Sequence, residues 1–127
     1  MARVLSAGEK PLDWMGSSKK DFLDFPGPVK DEIGNALGLA QFGGKHPSAK
    51  PWKGQGSGVF EVVENHDGDT CRAVYTVRFE EVVYVLHAFQ KKSPTGIRTA
   101  QTDIEMVRRR MKVAQQDYEV SYAKPKR

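Results

Sequence analysis

The sequence predicts an α+β domain: a small curved antiparallel β-sheet with an N-terminal helical hairpin and a C-terminal helix. Three observations carry that expectation. Between Val59 and Phe89, runs rich in Val, Tyr and Phe alternate with turn residues, the pattern of strands. Residues 18–40 and 100–117 instead repeat apolar side chains at intervals of three and four, the pattern of amphipathic helices. Strands grouped in the middle of the chain, with helices before and after, lack the strand–helix alternation of a parallel sheet.

Each element has its own local reason. Residues 1–10 show no periodicity and read as an N-terminal arm. Pro11-Leu12-Asp13-Trp14-Met15 sets Leu12 and Trp14 against polar neighbours and is a candidate first strand. Ser17 or Ser18 can cap a short helix containing Phe22, Leu23 and Phe25. Pro26-Gly27-Pro28 ends it, and Pro28 suits the first turn of a second helix. Val29, Ile33, Ala36, Leu37 and Ala40 then form one stripe as far as Phe42-Gly43-Gly44. Residues 43–58 hold too much Gly and Pro for regular structure and read as a long loop with an exposed Trp52. Val59-Phe60-Glu61-Val62-Val63-Glu64 is a strand, and Asp67-Gly68 marks the turn after it. Strands at 71–78 and 81–89 follow, joined around Phe79-Glu80-Glu81. The last helix spans 100–117, with Ile104, Val107, Met111 and Ala114 as its buried stripe. This order places the helical hairpin on one sheet face and leaves the other partly open. One domain covers 11–117, and 118–127 is a basic tail that includes Tyr118 and Tyr122.

A chain of 127 residues, 39% hydrophobic, is long enough to bury a single core without staples. Its lone Cys71 excludes an internal disulfide and fits a reducing compartment. Nothing approaches the ~18–20 apolar residues of a membrane span, and the first residues lack an apolar signal region. A soluble, cytoplasmic protein is therefore expected. Net charge is +4, but residues 1–86 carry −2 and residues 87–127 carry +6. A basic C-terminal third points to an acidic or polyanionic partner, against the plainer alternative of a solvated helix face and tail.

Strand pairing gives that charge a place. In an antiparallel pair, the start of one strand lies beside the end of the next. Arg72 and the tandem Lys91 and Lys92 should therefore meet at one end of the sheet, where they could hold a phosphate.

The run Tyr84-Val85-Leu86-His87-Ala88-Phe89-Gln90-Lys91-Lys92-Ser93 resembles the RelE/HigB toxin family in its phage-derived branch. So do Cys71-Arg72-Ala73-Val74-Tyr75, Lys50-Pro51-Trp52-Lys53-Gly54 before Val59-Phe60-Glu61, and the helical break at Phe25-Pro26. The similarity covers about residues 11–117. It implies a RelE-like fold and the toxin of a type II toxin–antitoxin system, one that enters the ribosome and cleaves mRNA. It also implies a neutralising antitoxin, often a helix-turn-helix protein, and an enzyme that needs no cofactor.

Metal-independent RNA cleavage requires loss of the 2′-hydroxyl proton, stabilisation of a dianionic phosphorane and protonation of the 5′-oxygen. Under the resemblance, Arg72 would stabilise the transition state, since guanidinium is always charged and binds two oxygens at once. Its plainer reading is a strand arginine paired with Glu61 or Glu81. One of Lys91 and Lys92 would protonate the leaving group or contact the scissile phosphate, the other gripping RNA backbone; both also suit a solvated strand end. His87 could act near neutral pH or be a buried, satisfied histidine. Lys50 and Lys53 are candidate nucleic-acid contacts, with Trp52 either stacking on a base or closing the core edge. Arg108, Arg109 and Lys112, beside Arg110, form a basic patch suited to ribosomal RNA, to an acidic antitoxin segment, or simply to solvent. Glu61 and Glu64 stand where some RelE-like toxins carry lysines, which puts direct transfer of acid–base roles in doubt.

Gly54-Gln55-Gly56-Ser57-Gly58 precedes a strand instead of opening a helix, so nucleotide binding is not expected. His46, His66, His87 and Cys71 have no zinc spacing, so no metal is expected. Two other functions compete with the endonuclease. One is binding of a protein target, as gyrase-poisoning relatives in the RelE/ParE superfamily do. The other is an inactive phage relic that binds only its antitoxin.

Overall fold

Turn chemistry and apolar periodicity set the elements of this chain, described by a computed structural model over residues 5–91 and 100–122. They are β1 (Leu12–Trp14), α1 (Ser18–Leu23), α2 (Gly27–Gln41), β2 (Ala49–Pro51), β3 (Val59–His66), β4 (Asp69–Thr76), β5 (Val83–Lys91) and α3 (Gln101–Ser121). Lys92, Met1–Val4 of the arm and the end of the tail from residue 123 lie outside the described residues.

The strands form one five-stranded sheet in the order β1-β5-β4-β3-β2. Asp67 and Gly68, with φ of 50° and 83°, make the tight two-residue turn that pins His66 opposite Asp69. This β3–β4 hairpin is the short one. The β4–β5 connection is longer than expected, because residues 77–82 include Phe79 and Val82, both buried in the core. Sheet pairing is antiparallel except at β1, which lies parallel to β5 with Leu12 opposite Val83. A hairpin turn enforces antiparallel pairing only between consecutive strands, and β1 leads into a helix instead.

Two apolar layers flank the sheet. On one side, Val29, Ile33, Ala36, Leu37 and Ala40 of α2 pack with Phe25 against Val62, Ala73, Tyr75, Val83 and Val85. Each fully buried Val, Leu or Ile side chain there stabilises the fold by about 1.5–3 kcal/mol. On the other, Val107, Met111 and Ala114 of α3 cover Val59, Val74, Tyr84 and Leu86. The second face is therefore covered, not partly open. β4 lies between both layers, and Cys71 through Thr76 are all buried.

Three further segments differ from expectation. The Gly- and Pro-rich stretch contains β2, which tolerates Pro51 because it is an edge strand. Its glycines wrap a side chain: Arg78 Nε donates to the Ser57 carbonyl at 3.2 Å, and a Cβ on Gly58 would meet Arg78 Cα at 3.3 Å. α3 runs on to Ser121, and its end is fastened. Tyr118 packs on Phe79, Tyr122 stacks on Tyr118, and Tyr122 Oη donates to Asp13 at 2.9 Å. At the N-terminal side, Lys10 N–H donates to the Gln41 carbonyl at 2.8 Å, tying the segment before β1 to the end of α2. No helix among the described residues is long and apolar enough to cross a membrane.

Candidate functional site

Arg72 projects from β4 on the α3 side of the sheet, with Phe89 of β5 opposite it. Lys91 is two residues further along β5, on the same face, and is the diagonal neighbour of Arg72. The expected convergence of these two residues is therefore present, with Lys92 outside the described residues. Neither charge stands in open solvent. Arg72 is buried, and its Nη1 lies 3.2 Å from Glu61 Oε1 on β3, so of the two acids considered for it the partner is Glu61. Removing either member of so enclosed a pair strands a charge, at a cost of about 3–5 kcal/mol.

His87 reaches this face through a bulge. Val74 pairs with His87 but Tyr75 with Val85, which leaves Leu86 as an extra residue on β5. Strict alternation would turn His87 toward α2 with Val83 and Val85. The bulge instead sends both Leu86 and His87 toward α3. There His87 Nε2 lies 2.8 Å from Asp103 Oδ1, its ring stacks on Phe89 at 4.7 Å, and it is buried. Lys91 Nζ lies 3.5 Å from the other oxygen of the same carboxylate, Asp103 Oδ2.

Arg110 completes the arrangement from above. Its Nη1 donates to the carbonyl of the bulged Leu86 at 3.1 Å and lies 3.4 Å from His87 Nδ1, while Nη2 donates to Ser17 Oγ at 3.2 Å. A guanidinium has no acceptor, so His87 Nδ1 accepts and its proton sits on Nε2, aimed at Asp103. Burial lowers the His87 pKa, outweighing the Asp103 carboxylate that raises it. The imidazole is neutral at pH 7.

Next to the Arg72–Glu61 pair is a cleft of about 250 Å³ lined by Pro51, Trp52, Lys53, Glu61 and Ile104. Lys53 is exposed at its edge, and Lys50 is exposed on β2 opposite Glu61. Trp52 is buried, not exposed on a loop, and of the two readings given for it closes the core edge. Its backbone N–H donates to the Val59 carbonyl at 2.8 Å, and the indole belongs to the α3-side core. Arg108, Arg109 and Lys112 are exposed elsewhere, on the outer side of α3, where they line a shallow groove of about 220 Å³ with Glu105. Arg108 contacts Glu105.

The structure thus unites Arg72, His87 and Lys91, places Trp52 and Lys53 beside them with Lys50 directly opposite Glu61, and leaves the α3 basic patch apart. Sequence reasoning missed Asp103 and Arg110. Asp103 is the one acidic residue in the first turn of α3, a position that only the folded sheet sets against β5. Arg110 is hidden among neighbouring arginines, although helical spacing from Val107 and Met111 turns it toward the sheet. Among the described residues no group of His, Cys, Asp and Glu could hold a metal ion. The united groups offer a guanidinium, an ammonium and an imidazole N–H to an anion on one face.

The sequence profile described as "Phage derived protein Gp49-like (DUF891)" matches residues 20–112. No curated protein sequence matches. Among solved structures, an arginine-to-alanine double mutant of E. coli toxin RelE in the free state is 18% identical with a TM-score of 0.53. That alignment covers 80% of this chain and 97% of RelE. A crystal structure of the isolated E. coli RelE toxin is 20% identical with a TM-score of 0.49, covering 79% and 97%. The first of these establishes a RelE-like fold.

Proposed function

Because this chain belongs to the phage-derived Gp49-like family and folds as RelE does, we propose that it is the toxin of a toxin–antitoxin pair, acting as a ribosome-dependent mRNA endonuclease. The observation that carries this reading is the juxtaposition of Arg72 and Lys91 on one face of the β4–β5 hairpin. Arg72 stabilises the phosphorane, Lys91 contacts the scissile phosphate or the departing 5′-oxygen, and Lys53 meets the adjacent nucleotide at the cleft. Arg108, Arg109 and Lys112 on outer α3 add salt-dependent attraction to RNA backbone. The ribosome supplies the RNA in a reactive orientation, and a cognate antitoxin, often a helix-turn-helix protein, holds the toxin in check.

Brief induction of the protein alone, followed by primer extension on host transcripts, tests the proposal. Codon-phased cuts and growth arrest are expected. Arg72→Lys keeps a charge for Glu61 but loses the two-pronged donor, and cutting should fall about 10²–10³-fold while circular dichroism stays native. Growth arrest with intact transcripts would refute cleavage. The neutralising contact of Glu61 with Arg72 favours a second, non-catalytic reading, in which the fold binds a protein target such as gyrase or only its antitoxin. DNA-damage signalling without transcript cleavage would select gyrase; a harmless protein that still binds its antitoxin would select the relic.

A further inference from the structure

Arg72 and Lys91 bring two positive charges to the α3 side of the sheet, and Glu61 and Asp103 bring two negative ones. These four charges cancel, which leaves Arg110, with Nη1 3.4 Å from His87 Nδ1, as the uncompensated positive charge beside the neutral imidazole. The two carboxylates differ in kind. Glu61 is built into the sheet and holds a buried guanidinium. Asp103 comes from the first turn of α3 and divides its oxygens, one to His87 Nε2 at 2.8 Å and one to Lys91 Nζ at 3.5 Å. Two non-bridging oxygens of a phosphodiester would engage the same two donors in the same way. The Lys91 contact exceeds the ~2.7–2.9 Å of a strong charge-assisted bond, so it is the easier one to exchange.

Resting on the toxin reading of this face, we propose that Asp103 is a built-in competitor for the RNA phosphate. Its carboxylate fills the seat between His87 and Lys91, and an incoming phosphate must displace it. Displacement makes the net charge of the face more positive by one and frees the imidazole N–H and the ammonium together. Arg110 stays in place throughout, holding the ring through Nδ1 so that the N–H keeps its direction. Asp103 thereby sets a threshold: weakly held anions leave it seated, and an RNA positioned by additional contacts dislodges it.

Inorganic phosphate is the probe, titrated into the full chain and followed by NMR at the His87 ring and the β5 amides. Asp103→Asn removes the charge while retaining an acceptor for His87, and Asp103→Ser does so without adding an amide donor. Each should bind phosphate at least about tenfold more tightly than wild type, about 1.4 kcal/mol, and adding Lys91→Ala should abolish the gain. In the wild type, saturating phosphate should shift the His87 Nε2–H resonance away from its carboxylate-bonded position. Unchanged affinity in the folded variants, a gain that survives Lys91→Ala, or an unmoved resonance at saturation would each overturn the proposal. Transcript cleavage is read separately. Tighter phosphate binding in a protein that cuts no RNA upholds the competitor and removes the nuclease; cutting with unchanged phosphate affinity does the reverse.

Discussion

His87 makes protonation visible in stability. Burial lowers its pKa from the ordinary 6.5, so the folded state resists taking up a proton that the unfolded chain accepts readily. Below that value the unfolded state binds more protons, and stability must fall as pH falls toward the folded pKa. The contribution is complete above pH 6.5 and lost progressively beneath it. Urea melts between pH 7 and pH 5 should show this slope in the wild type and a flatter one in His87→Gln. The histidine itself was legible as a candidate on a strand. Its direction was not, because alternation assigns a face only while the strand has no bulge, and no residue type between Val74 and His87 announces one. For Trp52 the sequence offers two readings, stacking on a base or closing the core edge, and it does the second, with its backbone bonded to Val59.

At the scale of elements, the approach of α3 to the turn before α1 is unusually close. Gly16 has φ of +54°, and a Cβ there would lie 2.7 Å from Arg110 Nε. Gly43 shares the left-handed conformation, with φ of +85°, but a Cβ there meets nothing within 4 Å. Gly43→Ala should cost about 1–2 kcal/mol for backbone conformation alone. Gly16→Ala should cost visibly more, because the guanidinium that bridges Ser17, Leu86 and His87 must also move. Equal losses in paired urea melts would show that Arg110 yields freely. The helices were readable because their stripes are regular, and the β3–β4 turn because Asp67-Gly68 favours positive φ at both positions. β2 was unreadable: three residues ending in proline have no periodicity, and only pairing with β3 makes them a strand.

For the molecule as a whole, burial on both faces makes β4 the centre of stability. Its amides from Cys71 to Thr76 should exchange with solvent most slowly, at the rate of global unfolding, while those of the edge strand β2 open locally and faster. Faster exchange in β4 than in β2 would contradict this ordering. Helices at both ends and strands in the middle were enough to read the α+β class. The covered second face was harder to see, since the buried stripe of α3 was legible but nothing in its spacing says which sheet face it covers. The parallel seating of β1 beside β5 has a consequence during synthesis. Leu12 emerges from the ribosome about seventy residues before its partner Val83, and α3 emerges later still. A growing polypeptide must therefore wait with an incomplete sheet and an uncovered layer of valines and tyrosines, so that whatever this face does begins only after translation of the helix that closes it.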